Sequence, residues 1–122
     1  MKPSTTILIV DDNEDAANSL ALLLRFEGHT VESVYTPQDA IDSAQTFAPQ
    51  IILLDIGLPG MDGYEVARRV RAAGNTARLV ALTGYGQAED VERALAAGFN
   101  SHLVKPVDLQ LLRRRISQPP GD

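Results

Sequence analysis

Four short apolar runs in this sequence end in polar side chains, and the types of those side chains suit phosphoryl chemistry. Asp11 and Asp12 follow the first run, Asp55 the second, Thr83 the third and Lys105 the fourth. Carboxylates held close together repel one another, which raises their affinity for protons unless a cation joins them. Carboxylate oxygens suit Mg²⁺, which retains several waters and leaves positions for phosphate oxygens. A lysine and a threonine can bind phosphoryl oxygens, and an aspartate can attack phosphorus to form an acyl phosphate.

The four runs are typical of strands in a parallel sheet that is covered on both faces. They comprise Ile7 to Val10, Ile51 to Leu54, Leu79 to Leu82 and Leu103 to Val104. Residues 30 to 34 alternate between apolar and polar types, which predicts a half-exposed edge strand. Helical patterns separate the strands, so the chain is predicted to alternate as βαβαβαβαβα in a three-layer α/β fold. The carboxyl ends of the strands then meet at one edge of the sheet, whereas the periodicity leaves the strand order open.

Capping residues indicate where the helices begin and end. Thr36 precedes Pro37 at one predicted N-terminus, and Asp62 is followed three residues later by Glu65, which is a capping-box pattern. Three glycines follow helical stretches and precede strands, as C-terminal caps do: Gly28, Gly74 and Gly98. The buried stripe of the first helix is predicted to contain four apolar residues: Ala16, Leu20, Leu23 and Leu24.

The composition indicates one soluble domain over residues 1–117, followed by a tail at 118–122 whose paired prolines cannot continue a helix. The net charge of -5, from 11 basic and 16 acidic residues, argues against a nucleic-acid partner. The basic cluster at residues 113–115 is interpreted as a solvated helix end. No apolar run approaches the roughly 20 residues that a membrane span requires. The absence of cysteine and of a signal peptide is consistent with a cytoplasmic location.

Four segments together resemble the response-regulator receiver domains of two-component signalling. They are ILIVDDN at 7–13, DIGLPGMDG at 55–63, ALTGYG at 81–86 and HLVKPVD at 102–108. The last segment is similar to receivers attached to hybrid histidine kinases. The resemblance extends over nearly the whole chain. It implies a flavodoxin-like, doubly wound, five-stranded parallel sheet in the order 2-1-3-4-5, and a function as a phosphorylation-activated switch.

The resemblance also implies roles for the acidic residues. Asp55 would be the phosphoacceptor. Asp12 and Asp55 would bind Mg²⁺ through their carboxylates, and Asp11 would act mainly through a bound water. Gly57 would supply its backbone carbonyl to the metal.

Further roles follow from the same resemblance on the fourth and fifth strands. Thr83 and Lys105 would bind the phosphoryl oxygens, and the bond between Lys105 and Pro106 would be cis. His102 stands where many members carry a Phe or Tyr whose rotamer follows the threonine, so it is interpreted either as a switch residue or as a half-buried packing residue. Tyr85 lies two residues after Thr83, where it would gate the phosphoryl group or contact a partner.

The implied phosphoryl donor is a histidine kinase or a histidine phosphotransfer domain. The downstream target, homodimerisation on phosphorylation, and a stand-alone or hybrid-kinase origin stay open. Such a chain catalyses only its own phosphorylation and dephosphorylation. A Mg²⁺-dependent aspartyl-phosphate phosphatase is disfavoured, because that class needs a second aspartate where Gly57 follows Asp55. The remaining alternative is a docking module that acts without phosphorylation.

Overall fold

The computed structural model describes residues 4–84 and 88–117, where five strands alternate with five helices. This alternation confirms the order of elements predicted from the sequence. The strands are β1 (Thr6–Val10), β2 (Thr30–Val34), β3 (Ile51–Asp55), β4 (Arg78–Thr83) and β5 (Ser101–Val104). The helices are α1 (Glu14–Phe26), α2 (Pro37–Thr46), α3 (Gly63–Ala72), α4 (Ala88–Ala97) and α5 (Leu109–Ser117). Tyr85 and the tail at residues 118–122 lie outside the described residues, so the predictions made for them are untested.

The five strands form one parallel sheet in the order β2-β1-β3-β4-β5. The order implied by the family resemblance is therefore confirmed, and the architecture is the flavodoxin-like α/β fold. The alternating strand β2 lies at one edge of the sheet, as its pattern predicted. The short strand β5 forms the opposite edge and pairs with β4 from Val80 opposite Ser101 to Thr83 opposite Val104.

The hydrophobic core lies in two layers, one on each face of the sheet. Helices α2, α3 and α4 cover one face, where Ala40, Val66 and Ala94 are among the buried residues. Helices α1 and α5 cover the other face, through residues that include Ala21 and Leu112. Coverage on both faces explains why the strands read as nearly continuous apolar runs. Within the described ranges, no helix is long and apolar enough to cross a bilayer.

Helix α1 turns a different face to the sheet from the one predicted. Its buried residues are Ala17, Ala21 and Leu24, whereas Ala16 is exposed and Leu20 is only partly buried. The small side chains of Ala17 and Ala21 occupy the centre of the buried face, and Leu20 packs against the same core layer from its margin. The prediction is therefore confirmed for Leu24, confirmed in part for Leu20, which packs against the core from a partly buried position, and wrong for Ala16.

The predicted caps are confirmed by the backbone geometry. The side chain of Thr36 accepts a hydrogen bond from the amide of Asp39 at 3.1 Å, and Asp62 accepts one from the amide of Glu65 at 3.0 Å. In a full capping box the Glu65 carboxylate would accept from the backbone amide of Asp62. Here it pairs instead with two arginines of its own helix, Arg68 and Arg69. The three glycines after helices all adopt positive φ, which favours glycine: Gly28, Gly74 and Gly98.

Candidate functional site

The polar residues at the strand ends gather at one edge of the sheet. Asp55 and Thr83 are the last residues of β3 and β4, while Asp11 follows β1 and Lys105 follows β5. Because the strands are parallel, these ends share the carboxyl edge. Carboxylate oxygens of Asp11, Asp12 and Asp55 all lie within 4.8 Å of one another. Asp11 and Asp55 are buried, and Asp12 is exposed, so the cluster opens to solvent on one side.

The ammonium of Lys105 bridges the two buried carboxylates. Its Nζ lies 2.9 Å from Asp55 Oδ2 and 3.1 Å from Asp11 Oδ2. The other oxygen of each carboxylate accepts a backbone hydrogen bond, at 3.0 Å from Asn13 N to Asp11 Oδ1 and at 2.8 Å from Gly57 N to Asp55 Oδ1. Both acidic side chains are thus held in place from two directions, and one cation balances much of their charge.

Burial and pairing shift the proton affinities of this group. Burial raises the pKa of Asp11 above its ordinary value, even though the amide of Asn13 and the ammonium of Lys105 both favour its carboxylate form. Burial alone would lower the pKa of Lys105, but hydrogen bonds to Asp55 and Asp11 outweigh it and raise that pKa. The lysine is therefore fully protonated at neutral pH, and the cluster retains a permanent positive group at its centre.

The hydroxyl of Thr83 is buried without a partner. The residue is only 3% exposed, and within the described part of the chain its Oγ1 has no hydrogen-bond partner. A buried hydroxyl that lacks a hydrogen bond costs free energy, so such a group in a native fold calls for an explanation. Its position at the carboxyl end of β4, beside the acidic cluster, makes it a ready donor to an oxygen of a bound ligand.

The loop that follows Asp55 is packed tightly against the start of α3. The amide of Gly63 donates to the carbonyl of Ile56 at 3.1 Å. A Cβ at Gly63 would lie 2.5 Å from Ile56 Cα and 2.8 Å from the Asp55 carbonyl oxygen, so only glycine fits there. This close approach restrains the backbone that carries the Asp55 carboxylate.

Other residues singled out in the sequence have defined positions but roles that stay predictions. The bond between Lys105 and Pro106 is cis. The backbone amide of Gly57 contacts Asp55, whereas its carbonyl as a metal ligand is untested. His102 is half-buried on β5 opposite Ala81, and its role as a switch is likewise untested.

Sequence reasoning missed Asn13, which both caps α1 and supports Asp11. Its side chain accepts from the amide of Ala16 at 3.1 Å, while its own amide donates to Asp11. The signal was present, because an asparagine directly before the acidic pair Glu14 and Asp15 is a common start of a helix.

The acidic cluster fits a hard divalent cation. Three carboxylates offer oxygen ligands, two of them on the buried strand ends and one on the exposed side. Oxygen donors with an open, solvated side are the arrangement in which Mg²⁺ keeps waters and accepts phosphate oxygens. The donor set contains neither histidine nor cysteine, and it therefore does not resemble a structural zinc site.

Comparisons with known proteins point to one family. The family model described as the response regulator receiver domain matches residues 7–117. The chain is 39% identical over 110 residues to an uncharacterized 14.6 kDa protein of Leptolyngbya boryana, covering 88% of this chain and 84% of that protein. It is 34% identical over 112 residues to the response regulator ArlR of Staphylococcus aureus, covering 92% of this chain and 51% of ArlR. The chain thus spans about half the length of that regulator.

A solved structure extends the comparison to a complex. It is the co-crystal structure of the Saccharomyces cerevisiae histidine phosphotransfer signaling protein Ypd1 and the receiver domain of its downstream response regulator Ssk1. The match has a TM-score of 0.89 and 28% sequence identity, and it covers 96% of this chain and 89% of the matched chain. A fold of the same kind is therefore known in contact with a histidine phosphotransfer protein.

Proposed function

The chain belongs to the response regulator receiver domain family, and from that premise we propose that it is a signalling switch that accepts a phosphoryl group on Asp55. Receiver domains of response regulators are not enzymes in the usual sense. The observation that carries the proposal is the pairing of the Asp55 carboxylate with Lys105 Nζ at 2.9 Å inside the acidic cluster. A nucleophile, a fixed cation and a divalent-cation site then meet at one point.

The donor in this proposal is a histidine kinase or a histidine phosphotransfer domain, as the complex between Ypd1 and the Ssk1 receiver suggests. The Asp55 carboxylate attacks phosphorus, so that an O–P bond forms while the N–P bond of the phosphohistidine breaks and the imidazole leaves. Lys105 and the unpartnered hydroxyl of Thr83 bind the oxygens of the transferred group. The cytoplasmic location and homodimerisation on phosphorylation stay predictions.

Mg²⁺ is the cation that we propose for the acidic cluster. Asp11, Asp12 and Asp55 would hold it, with the backbone carbonyl of Gly57 as a further ligand. When bound, Mg²⁺ supplies positive charge that offsets both the carboxylates and the phosphoryl oxygens. Lys105 contributes its own charge from the β5 side of the site.

Phosphorylation would change which groups Lys105 contacts. The lysine now pairs with Asp11 and Asp55, and a phosphoryl group on Asp55 offers it a new oxygen partner. Thr83 would gain a partner at the same time. Contacts that differ between the two forms bias a conformational equilibrium, which is how a local charge change becomes a signal. His102, on the strand β5 that pairs with β4 and leads to Lys105, is proposed to follow Thr83.

The first test measures how many phosphoryl groups one chain takes. We expect incubation with acetyl phosphate and Mg²⁺ to add one phosphoryl group per chain, a gain of about 80 Da by intact mass spectrometry. The same incubation with EDTA in place of Mg²⁺ serves as the control and should give no adduct. Continuous consumption of acetyl phosphate by many equivalents would indicate a phosphatase. A chain that binds Mg²⁺ but neither takes a phosphoryl group nor binds beryllofluoride would be a docking module instead.

The second test measures metal binding without phosphorylation. At a concentration ~100-fold above its dissociation constant, Mg²⁺ should raise the free energy of unfolding by about 2–3 kcal/mol, because it binds only the folded chain. Urea unfolding at matched ionic strength measures the effect. Asp12→Ala should lose most of this stabilisation, whereas Asp15→Ala, an exposed carboxylate of the first turn of α1, should retain it. Equal stabilisation of both variants would contradict a metal site at the cluster.

A further inference from the structure

The guanidinium of Arg71 forms five hydrogen bonds near the end of the sheet opposite the acidic cluster. Arg71 lies in the last turn of α3, and its Nε and Nη2 donate to the carbonyl of Gly98 at 3.1 and 3.0 Å. Its Nη1 donates to the carbonyls of Asn75 and Ala77 at 3.0 and 2.6 Å, and Nη2 also donates to Asn100 Oδ1 at 2.8 Å. One side chain therefore ties α3 to the segments that lead into β4 and β5.

The five hydrogen bonds end on four acceptors, all of them neutral oxygens, because the Gly98 carbonyl accepts two of the bonds. Among the side chains that the structure describes, at residues 4–84 and 92–117, no carboxylate pairs with Arg71. The planar fork of an arginine can satisfy several acceptors in a fixed geometry, which a lysine cannot do. Gly98 is fitted to this contact, since its φ is +108° and a Cβ there would lie 2.8 Å from Arg71 Cγ. Both partners are therefore specific to this contact, the guanidinium of Arg71 and the glycine at position 98.

Asn100 extends the pairing of β4 and β5 by one further step. Its backbone amide donates to the carbonyl of Leu79 at 2.8 Å, and its side-chain Oδ1 accepts from the amide of Leu79 at 2.8 Å. The same Oδ1 accepts from Arg71. Asn100 is therefore locked to β4 through both its backbone and its side chain, immediately before β5 begins at Ser101.

Such a lock matters because β5 is a short strand at the edge of the sheet. It has four residues and pairs only with β4 in the described sheet. A slip of one residue in strand pairing moves every side chain to the opposite face. At its far end, the amide of Lys105 donates to the carbonyl of Thr83 at 2.7 Å. The register of β5 thus decides where Lys105 stands relative to Thr83.

We propose that Arg71 and Asn100 form a clasp that positions Lys105 and Thr83 for phosphoryl transfer by holding β5 in register with β4. The clasp lies one strand length away from the site, about 16 Å along β5. Both are positioning residues, because neither touches the reacting atoms. The effect of the clasp on phosphorylation depends on the proposed function. Its effect on the pairing of β4 with β5 does not.

The clasp acts on one half of the site. Lys105 and Thr83 stand on the β4 and β5 side, whereas the acidic cluster stands on β1 and β3. Loosening β5 should therefore slow phosphoryl transfer and leave metal binding intact. General loss of stability would not separate these two properties, since the metal also needs the folded chain.

The experiment compares Arg71→Met with Arg25→Met. Arg25 Nε and Nη2 donate to the Val31 carbonyl at 3.2 and 2.8 Å, so that arginine holds a carbonyl of β2 at the other edge of the sheet. In Arg71→Met, we expect the β5 amides to exchange with solvent deuterium at least about tenfold faster than in the wild type. The phosphorylation rate with acetyl phosphate should fall about 10- to 100-fold, because small displacements of positioned groups are costly. The Mg²⁺ dissociation constant should not increase by more than about twofold, because the acidic cluster stands on β1 and β3. Arg25→Met should change neither β5 exchange nor phosphorylation.

Two variants of Asn100 test the clasp independently, and they suffice if Arg71→Met fails to fold. Asn100→Ala removes the oxygen that accepts from Leu79 and Arg71, so it should reproduce the effects of Arg71→Met. Asn100→Asp keeps a side-chain oxygen that can accept from Leu79 and Arg71. It should therefore keep the slow exchange and fast phosphorylation of the wild type. Faster exchange spread equally over β1, β3 and β5, or Mg²⁺ affinity lost together with phosphorylation, would overturn the clasp. Exchange needs no phosphoryl group, so a wild type that takes none would refute the proposed function and leave the clasp to be judged by exchange.

Discussion

Asp55→Asn should abolish phosphoryl incorporation while the chain keeps its fold. The substitution preserves the size of the side chain and an oxygen that can accept from the Gly57 amide, as Asp55 Oδ1 does at 2.8 Å. It removes the carboxylate that attacks phosphorus, and a neutral amide is a far weaker nucleophile. Losing a nucleophile typically costs on the order of 10³-fold or more in rate, so no adduct should be detected.

Intact mass spectrometry after incubation with acetyl phosphate and Mg²⁺ measures this loss, and Asp62→Asn is the matched control. Asp62 caps α3 through the amide of Glu65, a role that asparagine fills equally well. The control therefore makes the same chemical change on the same loop, and it should be phosphorylated as the wild type is. A hydroxylamine-labile adduct on Asp55→Asn would show that another residue is the phosphoacceptor.

Much of the fold was predictable because it follows from local patterns. Strands covered on both faces read as apolar runs, such as residues 51–54, and glycines at positive φ mark the helix ends. The strand order was not predictable from periodicity, since any order of covered strands has the same pattern. It came from the family resemblance. The face of α1 was mispredicted because close packing through Ala17 and Ala21 leaves no trace in hydrophobicity alone.

The site was predictable as a set of residue types but not as a set of contacts. The strand ends placed Asp11, Asp55 and Lys105 on one edge, because parallel strands share that edge. The bridging of two carboxylates by one ammonium depends on the distances between three strands and on rotamers. The clasp of Arg71 and Asn100 was even less predictable, since four of the five hydrogen bonds of Arg71 go to backbone carbonyls, which any residue type supplies.

Lys105→Met should lower both the phosphorylation rate and the stability of the metal-free chain. The substitution removes the ammonium from between Asp11 and Asp55 and keeps a side chain of similar length. Phosphorylation should fall about 10²- to 10³-fold, as when one group that stabilises developing charge is removed. Without Mg²⁺, the free energy of unfolding should fall by about 1–2 kcal/mol, between the values typical of exposed and of buried ion pairs, because Lys105 is partly exposed.

Mg²⁺ should stabilise Lys105→Met more than it stabilises the wild type. In the wild type the lysine already offsets the charge of two carboxylates that the metal also needs, so each cation reduces the gain from the other. Urea unfolding with and without Mg²⁺ should show an excess of about 1–2 kcal/mol in the variant, equal to its deficit without metal. Lys105→Arg keeps the positive charge and should show neither the deficit nor the excess. Equal stabilisation of Lys105→Met and the wild type by Mg²⁺ would mean that lysine and metal do not share the carboxylates of Asp11 and Asp55.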